Sequence, residues 1–362
     1  MNKKPEPDKS QKIKVGGQAI IEGVMMRSPG SLAMAVRRPD GKIVVKEQHW
    51  MGLSERFKFL KWPFLRGTVV LIESLTNGIS ALTFSANQAA IAEEEMQQKE
   101  AGSEDKDDDS DGGLSALYLA GTVIVALGLA IVLFVVVPHA LTAAIGHWAG
   151  DAFDVTSGWF HLIDGIIKFL MFLIYVYSIS RLKDIRRVFE YHGAEHKSIF
   201  TYEAGLPLRP EKAREFTTKH PRCGTSFLMV VLSVSIILFS ASFVLMPKFP
   251  GMNIVLKHLI YILIKMPLLI PIAGVSYEVI QLAGKRQHNR LLQLAVLPGI
   301  WFQKITTQEP SDDQVEVAMV SLLKVLWREQ NGSAGGLESE EIYDDFQSAV
   351  QAIGYDPVRA ET

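Results

Sequence analysis

The stretch Thr225–Pro247, TSFLMVVLSVSIILFSASFVLMP, runs without one charged side chain. A helix rises about 1.5 Å per residue, so roughly 20 residues cross the hydrocarbon of a bilayer, and a soluble core helix of that length would show a polar stripe. Leu114–Pro138 is equally free of charge. Gly158–Ser180 and Ile254–Ser276 are long and apolar too, while holding Asp164 with Lys168 and Lys257 with Lys265. The reading is therefore mainly α, a four-span helical membrane protein with spans at 114–138, 158–180, 225–247 and 254–276.

Loop charge sets the expected orientation, because Lys and Arg of short loops stay on the cytoplasmic side. Arg181–Arg222 carries ten Lys or Arg residues, His139–Thr156 none, and the loop after the third span only Lys248. Lys285, Arg286 and Arg290 follow the fourth span. Both termini and the 181–224 loop are thus expected in the cytoplasm, with the chain in an inner membrane. Asp164 and Lys168, four residues apart, are expected to neutralise each other within the bundle. His139, His147, His161 and His258 fall on the outer side or in spans and read as structural.

Outside the spans, a small cytoplasmic α+β part is expected at 1–92. Pro39-Asp40-Gly41 lies between Ala33–Arg38 and Lys42–Val45 and reads as the turn of a β-hairpin. Leu65, Val69, Ile72, Leu75, Ile79, Leu82 and Ala86 recur every three or four residues, an amphipathic helix. It either packs on a soluble core or lies on the bilayer beside Trp62; Arg66 and Glu73 argue against a fifth span. Residues 93–113 are dense in Glu, Asp, Lys and Ser and read as a solvated linker. In 277–330, Ser311 and Gln314 form a capping box for a C-terminal helix. The acidic tail 331–362 carries one weak helix around Ile342–Ile353. Met1–Lys14 has no apolar core and does not read as a signal peptide.

The chain is 48% hydrophobic with a formal net charge of −2, which points neither to nucleic acid nor to a strongly acidic partner. Its single cysteine, Cys223, excludes an intrachain disulfide and suits a reducing compartment. The candidate chemistry is Tyr191-His192-Gly193-Ala194-Glu195-His196, an H-x-x-E-H pattern. Imidazoles at i and i+4 share one helix face and can both reach a divalent metal, zinc by ligand type, while Glu195 can act as general base on a bound water. His220-Pro221-Arg222-Cys223 follows on the same loop and adds His and Cys ligands. Four ligands from His192, His196, His220 and Cys223 would close a structural site, whereas three and a water would leave a catalytic one open. Glu278 and Glu203 are alternative carboxylate ligands.

Four separate motifs, Gly16–Arg27 (GGQAIIEGVMMR), Tyr191–Lys197, His220–Phe227 and Pro298–Pro310, make the chain resemble the YqhQ-like family of bacterial membrane proteins over roughly Ile13–Arg328. That family is a domain of unknown function regarded as a set of metal-dependent enzymes, a view that rests on these same histidines. The glycines and polar residues of Gly16–Arg27 let that segment read either as a structural turn and core strand or, through Gln18, Glu22 and Arg27, as a lip of the cytoplasmic site, with Tyr191 a further candidate site residue. Two functions follow as expectations. One is a metal-dependent hydrolase acting on a peptide, lipid or other amphiphile that reaches the membrane surface. The other is a membrane scaffold or assembly factor with a structural metal or none.

Overall fold

A computed structural model describes residues 12–101, 112–149, 158–245, 252–286, 289–332 and 338–354. The expectations for the core of the acidic linker, for the end of the loop before the second span and for the last residues of the tail lie outside these.

Four strands open the described chain: β1 (Gly16–Ile20), β2 (Gly23–Arg27), β3 (Ser31–Arg37) and β4 (Ile43–His49). The expected hairpin is β3–β4, turning through Gly41 at φ +88°, and it is part of a larger sheet. A fifth strand, β5 (Glu338–Tyr343), comes from the segment expected to be a tail and pairs antiparallel with β4, Ile43 facing Tyr343 and Gln48 facing Glu338. The sheet order is β1-β2-β3-β4-β5, antiparallel throughout. A helix α12 (Phe346–Ile353) follows, capped by Asp345, and two one-turn helices, α1 (Leu53–Arg56) and α7 (Pro210–Ala213), lie in connections. The tail reads as polar because β5 is an edge strand with Glu338, Glu340 and Glu341, and only its pairing partner makes it a strand.

Both faces of the sheet are covered, which is why β3 (SLAMAVR) is apolar at nearly every position. Leu32, Met34 and Val36 point to one side, where they pack with Ala81 and Phe84 of α2 (Leu65–Ala101). Ala33 and Ala35 point to the other, facing α11 (Asp312–Asn331). The small side chains let α11 come close enough for Ser321 Oγ to donate to the Ala33 carbonyl at 2.9 Å and accept from Met26 N–H at 3.1 Å. The Gln314 side chain accepts from Ser311 N–H at 2.9 Å, as the capping-box reading expects.

Among the described residues, five helices are long and apolar enough to cross a membrane: Leu65–Met96, Ile124–Trp148, Gly158–Ile179, Gly224–Ser242 and Met266–Ala283. The sequence reading expected four; the fifth is the amphipathic helix, which runs on through residues 93–101, the expected start of the linker. The first expected span continues past Pro138 as α3 (Gly112–Ile131), a π-turn at Val132–Val136 and α4 (Val137–Ala149), so residues 139–149 are helix rather than loop. The π-turn sits just ahead of Pro138, whose missing N–H breaks the i to i−4 ladder. The remaining apolar helices are α5 (Gly158–Ile179), α8 (Gly224–Leu245) and α9 (Ile254–Lys285), the last with Pro267 and Pro271 inside. Lys168 Nζ meets Asp164 Oδ2 at 2.5 Å in α5, with His139 Nδ1 3.7 Å from the other carboxylate oxygen.

Candidate metal centre

The H-x-x-E-H segment lies in α6 (Lys183–Glu203), and every residue from Tyr191 to Ile199 is buried. A helix this polar on average is buried because its neighbours enclose it on every side. β1 and β2 lie on one side, α11 alongside, the 216–223 loop at its C-terminal half, and α10 (Arg290–Thr306) hands it the 306–309 connection. Gly193 is needed for that enclosure, since a Cβ there would overlap the Gln308 carbonyl oxygen, and Gln308 N–H donates to Phe189 O at 2.9 Å.

The Nδ1 atoms of both histidines are taken by backbone carbonyls: His192 donates to Thr306 O at 2.8 Å and His196 to Thr218 O at 2.5 Å. This assigns the proton to Nδ1 and leaves each Nε2 lone pair free, the arrangement that orients imidazoles toward a metal. His192 Nε2 lies 3.2 Å from Cys223 Sγ, and His196 Nε2 is buried without a hydrogen-bond partner. Ligand atoms of His192, His196 and Cys223 all fall within 4.8 Å of one another. A buried acceptor with no donor costs about 1–3 kcal/mol, so the orphaned Nε2 fits a cation among these three groups.

Glu195 stands beside the trio, 3.9 Å from His192 Nε2 and buried. Burial raises its pKa, against the opposing pull of His192 and His220 and a hydrogen bond from the Gly17 backbone. Burial likewise lowers His196 below the ordinary imidazole value, with Cys223 pulling the other way, and lowers His220, with Glu195 opposing. The His220 ring lies 5.5 Å from that of His196, and its Nε2, 3.8 Å from Glu203, has no hydrogen-bond partner. Glu203 itself is engaged by Arg222.

The structure thus brings together His192, Glu195, His196, His220 and Cys223, and holds the other candidates elsewhere. Glu278 is clasped by Arg66, Oε1 and Oε2 accepting at 2.7 and 2.5 Å, away from the cluster. Glu22, at φ +53°, pairs with Arg187 and accepts from the hydroxyl of Tyr191, the residue before His192, at 3.3 Å. Gln18 packs on Gly78 of α2, and Arg27 stacks over the Trp50 ring, 5.2 Å from its centroid. The Gly16–Arg27 motif still touches the site, but through Gly17, not through its polar side chains. A residue the sequence reading passed over is Gln303, wholly buried in α10. It accepts from His220 N–H at 2.8 Å and donates to His220 O and Ser226 Oγ at 2.9 and 2.7 Å, tying the Cys223 loop to α10. Its only signal in the sequence is its place in the Pro298–Pro310 motif.

Fold and site together define a class: a mainly helical protein with membrane-length apolar helices, whose buried His/His/Cys group is held between the polar helix α6 and the loop that carries Cys223. The particular family follows from comparison. The family model described as "Protein of unknown function (DUF1385)" matches residues 62–328, and the chain belongs to that family. It is 33% identical over 317 residues to "Uncharacterized protein YqhQ" of Bacillus subtilis (strain 168), covering 86% of this chain and 92% of that one. No solved structure matches.

Proposed function

We propose that this is a four-span protein of the bacterial cytoplasmic membrane that holds a divalent cation, zinc by donor type, on His192, His196 and Cys223 and acts as a hydrolase at the cytoplasmic surface. The observation that carries the metal is the convergence of a ring nitrogen from each histidine and the Cys223 Sγ within 4.8 Å, with both Nδ1 atoms engaged by backbone carbonyls. Three protein ligands leave the fourth position of a tetrahedral ion open, the count of catalytic rather than structural sites. Bound there, the ion supplies Lewis-acid polarisation and water activation near neutral pH. The chain's own part falls to Glu195, which with its raised pKa takes a proton from the attacking water and returns it to the leaving group. Gly17 N–H holds that carboxylate, and His220 Nε2 is a second buried base within reach of the same space. An amphiphilic substrate or a membrane protein segment fits the position of Cys223, one residue before α8.

Support for four crossings comes from the sheet. Strands cannot pair across a bilayer, so the β4–β5 ladder and the packing of α6 and α11 on β1–β3 require even numbers of crossings between them. Three apolar helices separate β4 from α6, and two separate α6 from α11. Of the first three, α2 is the one packed along the sheet, with Gln88 Nε2 on Glu340 and Glu95 on Arg38. That arrangement supports crossing by the other four, with both ends on the side of the ten basic residues at 181–222.

A second reading, a closed structural metal in a membrane scaffold, is favoured by burial: His196 is 1% exposed, and Glu195 and His220 are 5%. The two part at Glu195. Elemental analysis of the detergent-purified protein should find near-stoichiometric zinc, lost in His192→Ala and His196→Ala and reduced in Cys223→Ser. Glu195→Gln should keep the zinc and lose hydrolysis of peptide or lipid substrates. Absence of metal in chelator-free protein sinks the hydrolase and the structural metal alike and leaves a scaffold without metal; a Glu195→Gln variant with full function in vivo leaves the scaffold.

A further inference from the structure

The outer side of α2 carries Leu71, Ile72, Leu75, Ile79 and Leu82, all exposed. At about 100° per residue they fall within roughly 100° of arc, on the side of the helix away from Val69, Glu73, Ala81, Phe84, Ser85 and Gln88, which are buried. The helix therefore has two apolar faces. One is covered by the sheet. The other continues into the segment before it, where Phe57, Phe59, Trp62 and Phe64 are exposed, Trp62 at 65%. Arg56, Lys58 and Lys61 are interleaved with these rings against one carboxylate, Glu55, which takes Lys61 at 2.8 Å.

This base of α2 is fixed to a membrane-length helix. The Phe64 backbone packs on Gly274 and Gly67 on Ala273 and Tyr277 of α9, Thr68 Oγ1 donates to Ile270 O at 3.3 Å, and Arg66 holds Glu278. Gly274 lies eight residues inside the apolar window Met266–Ala283. The contact therefore falls inside the apolar stretch of α9, which puts Phe64 in reach of the acyl region in the four-crossing reading.

We propose that Phe57–Phe64 and the outer stripe of α2 form a bilayer-docking surface, seated at the boundary of headgroups and acyl chains and selective for anionic lipid. Aromatic rings and apolar stripe enter the acyl region, and Arg56, Lys58 and Lys61 reach phosphates. The sheet, and with it the His/Cys group, is then held against the membrane with α2 between protein and lipid. The proposal rests on the four-crossing reading, in which α2 does not span. It explains why α2 is apolar enough to span while one of its sides is sheathed in protein: it is a helix sandwiched between a core and a membrane.

The test uses the full chain in nanodiscs of phosphatidylethanolamine with phosphatidylglycerol, and of phosphatidylcholine alone. Spin labels are placed at Leu75→Cys, Ile79→Cys and Phe59→Cys in a Cys223→Ser background, with Asp40→Cys in the exposed β3–β4 turn as the aqueous control. Labels at 59, 75 and 79 should lose collisions with a water-soluble nickel complex and gain them with oxygen, and Asp40→Cys should do the reverse. Lys58→Glu with Lys61→Glu should raise nickel access at residue 59 in the anionic discs and leave it unchanged in phosphatidylcholine. A photo-crosslinking phenylalanine at Leu75, with Cys223 retained, should yield lipid adducts by mass spectrometry. Nickel access at 75 equal to that at 40, exclusion of both probes, or adducts to protein alone would overturn the docking surface. An impermeant maleimide in oriented vesicles checks the underlying topology separately: Asp40→Cys and Glu94→Cys must react from the same side. Opposite sides would mean that α2 spans, and would remove the four-crossing reading whatever the labels at 75 report.

Discussion

Gly17→Ala is the most telling single substitution at the site. By strand propensity it should do no harm, since glycine is a poor strand residue and alanine reduces the entropy of the unfolded chain by about 0.4–1 kcal/mol. The geometry reverses the sign. A Cβ on Gly17 would meet Glu195 Cγ at 2.7 Å, Met26 Sδ at 2.8 Å and the Met25 carbonyl oxygen at 2.9 Å, where ordinary contact begins at 3.4 Å. Glu195 must therefore retreat by about 0.7 Å, the difference between 2.7 and 3.4 Å, and lose the Gly17 N–H that stabilises its charged form. Overpacking of this kind costs about 1–3 kcal/mol and a lost hydrogen bond to a buried carboxylate about 1.5–3 kcal/mol; less the entropy gain, the net destabilisation is about 1.5–5.5 kcal/mol. The assay is thermal and urea unfolding in mild detergent, with zinc content measured on the same preparations. Gly16→Ala is the control, because a Cβ there meets nothing within 4 Å, and its effect should stay within about 0.5 kcal/mol. Zinc should be retained in Gly17→Ala, since Glu195 is placed beside the ligands rather than among them. Equal stability of the two alanine variants would refute the contact, and loss of zinc in Gly17→Ala would make Glu195 a ligand.

Gln303→Leu leaves the His220 backbone and the Ser226 hydroxyl without their partner; it should destabilise by about 2–5 kcal/mol and weaken zinc binding about 10–100-fold, measured by competition with a chelator. In the metal-free protein, burial holds His196 and His220 below their ordinary pKa of 6.5, so the unfolded chain takes up protons first as the pH falls. The stability they contribute is whole above pH 6.5 and declines below it until their folded pKa is passed, by up to about 1.4 kcal/mol per pH unit for each histidine. Glu195, raised above 4.5, has the opposite sign, its contribution being present below pH 4.5 and lost as pH rises through its folded pKa. Unfolding at about pH 7.5 and about pH 5.5 should show the loss at the lower pH, and His220→Gln should flatten it; an unchanged slope would place the imidazole in water. Truncation after Gly332 removes β5 and the buried Phe346, Ala349 and Ile353, and opens the β4 edge. At about 1.5–3 kcal/mol for each large apolar side chain the truncated chain should elute as aggregate in size-exclusion chromatography, and a monodisperse product would show that the tail is dispensable.

The sequence by itself determined the parts of this protein that depend on local composition. Charge-free runs such as Thr225–Pro247 can only be helices in an apolar setting, because each backbone group is satisfied within its own segment. The i, i+4 spacing of His192 and His196 places both rings on one face of any helix, and His220 with Cys223 supplied further ligand types nearby. What the tertiary structure alone decided is what covers each surface. Periodicity in α2 marks apolar positions but not whether sheet or lipid lies against them, so a helix with two apolar faces reads as amphipathic in one window and as a span in another. The acidic segment Glu338–Tyr343 has weak strand character of its own and becomes β5 because the β4 edge is presented to it after the whole helical region has intervened. Glu278 reads as a ligand by residue type and is the partner of Arg66; Gly17 reads only as part of a glycine-containing motif and is the backbone donor to Glu195. In each case residue type fixed which interactions were available, and only the long-range fold chose which partner came within reach.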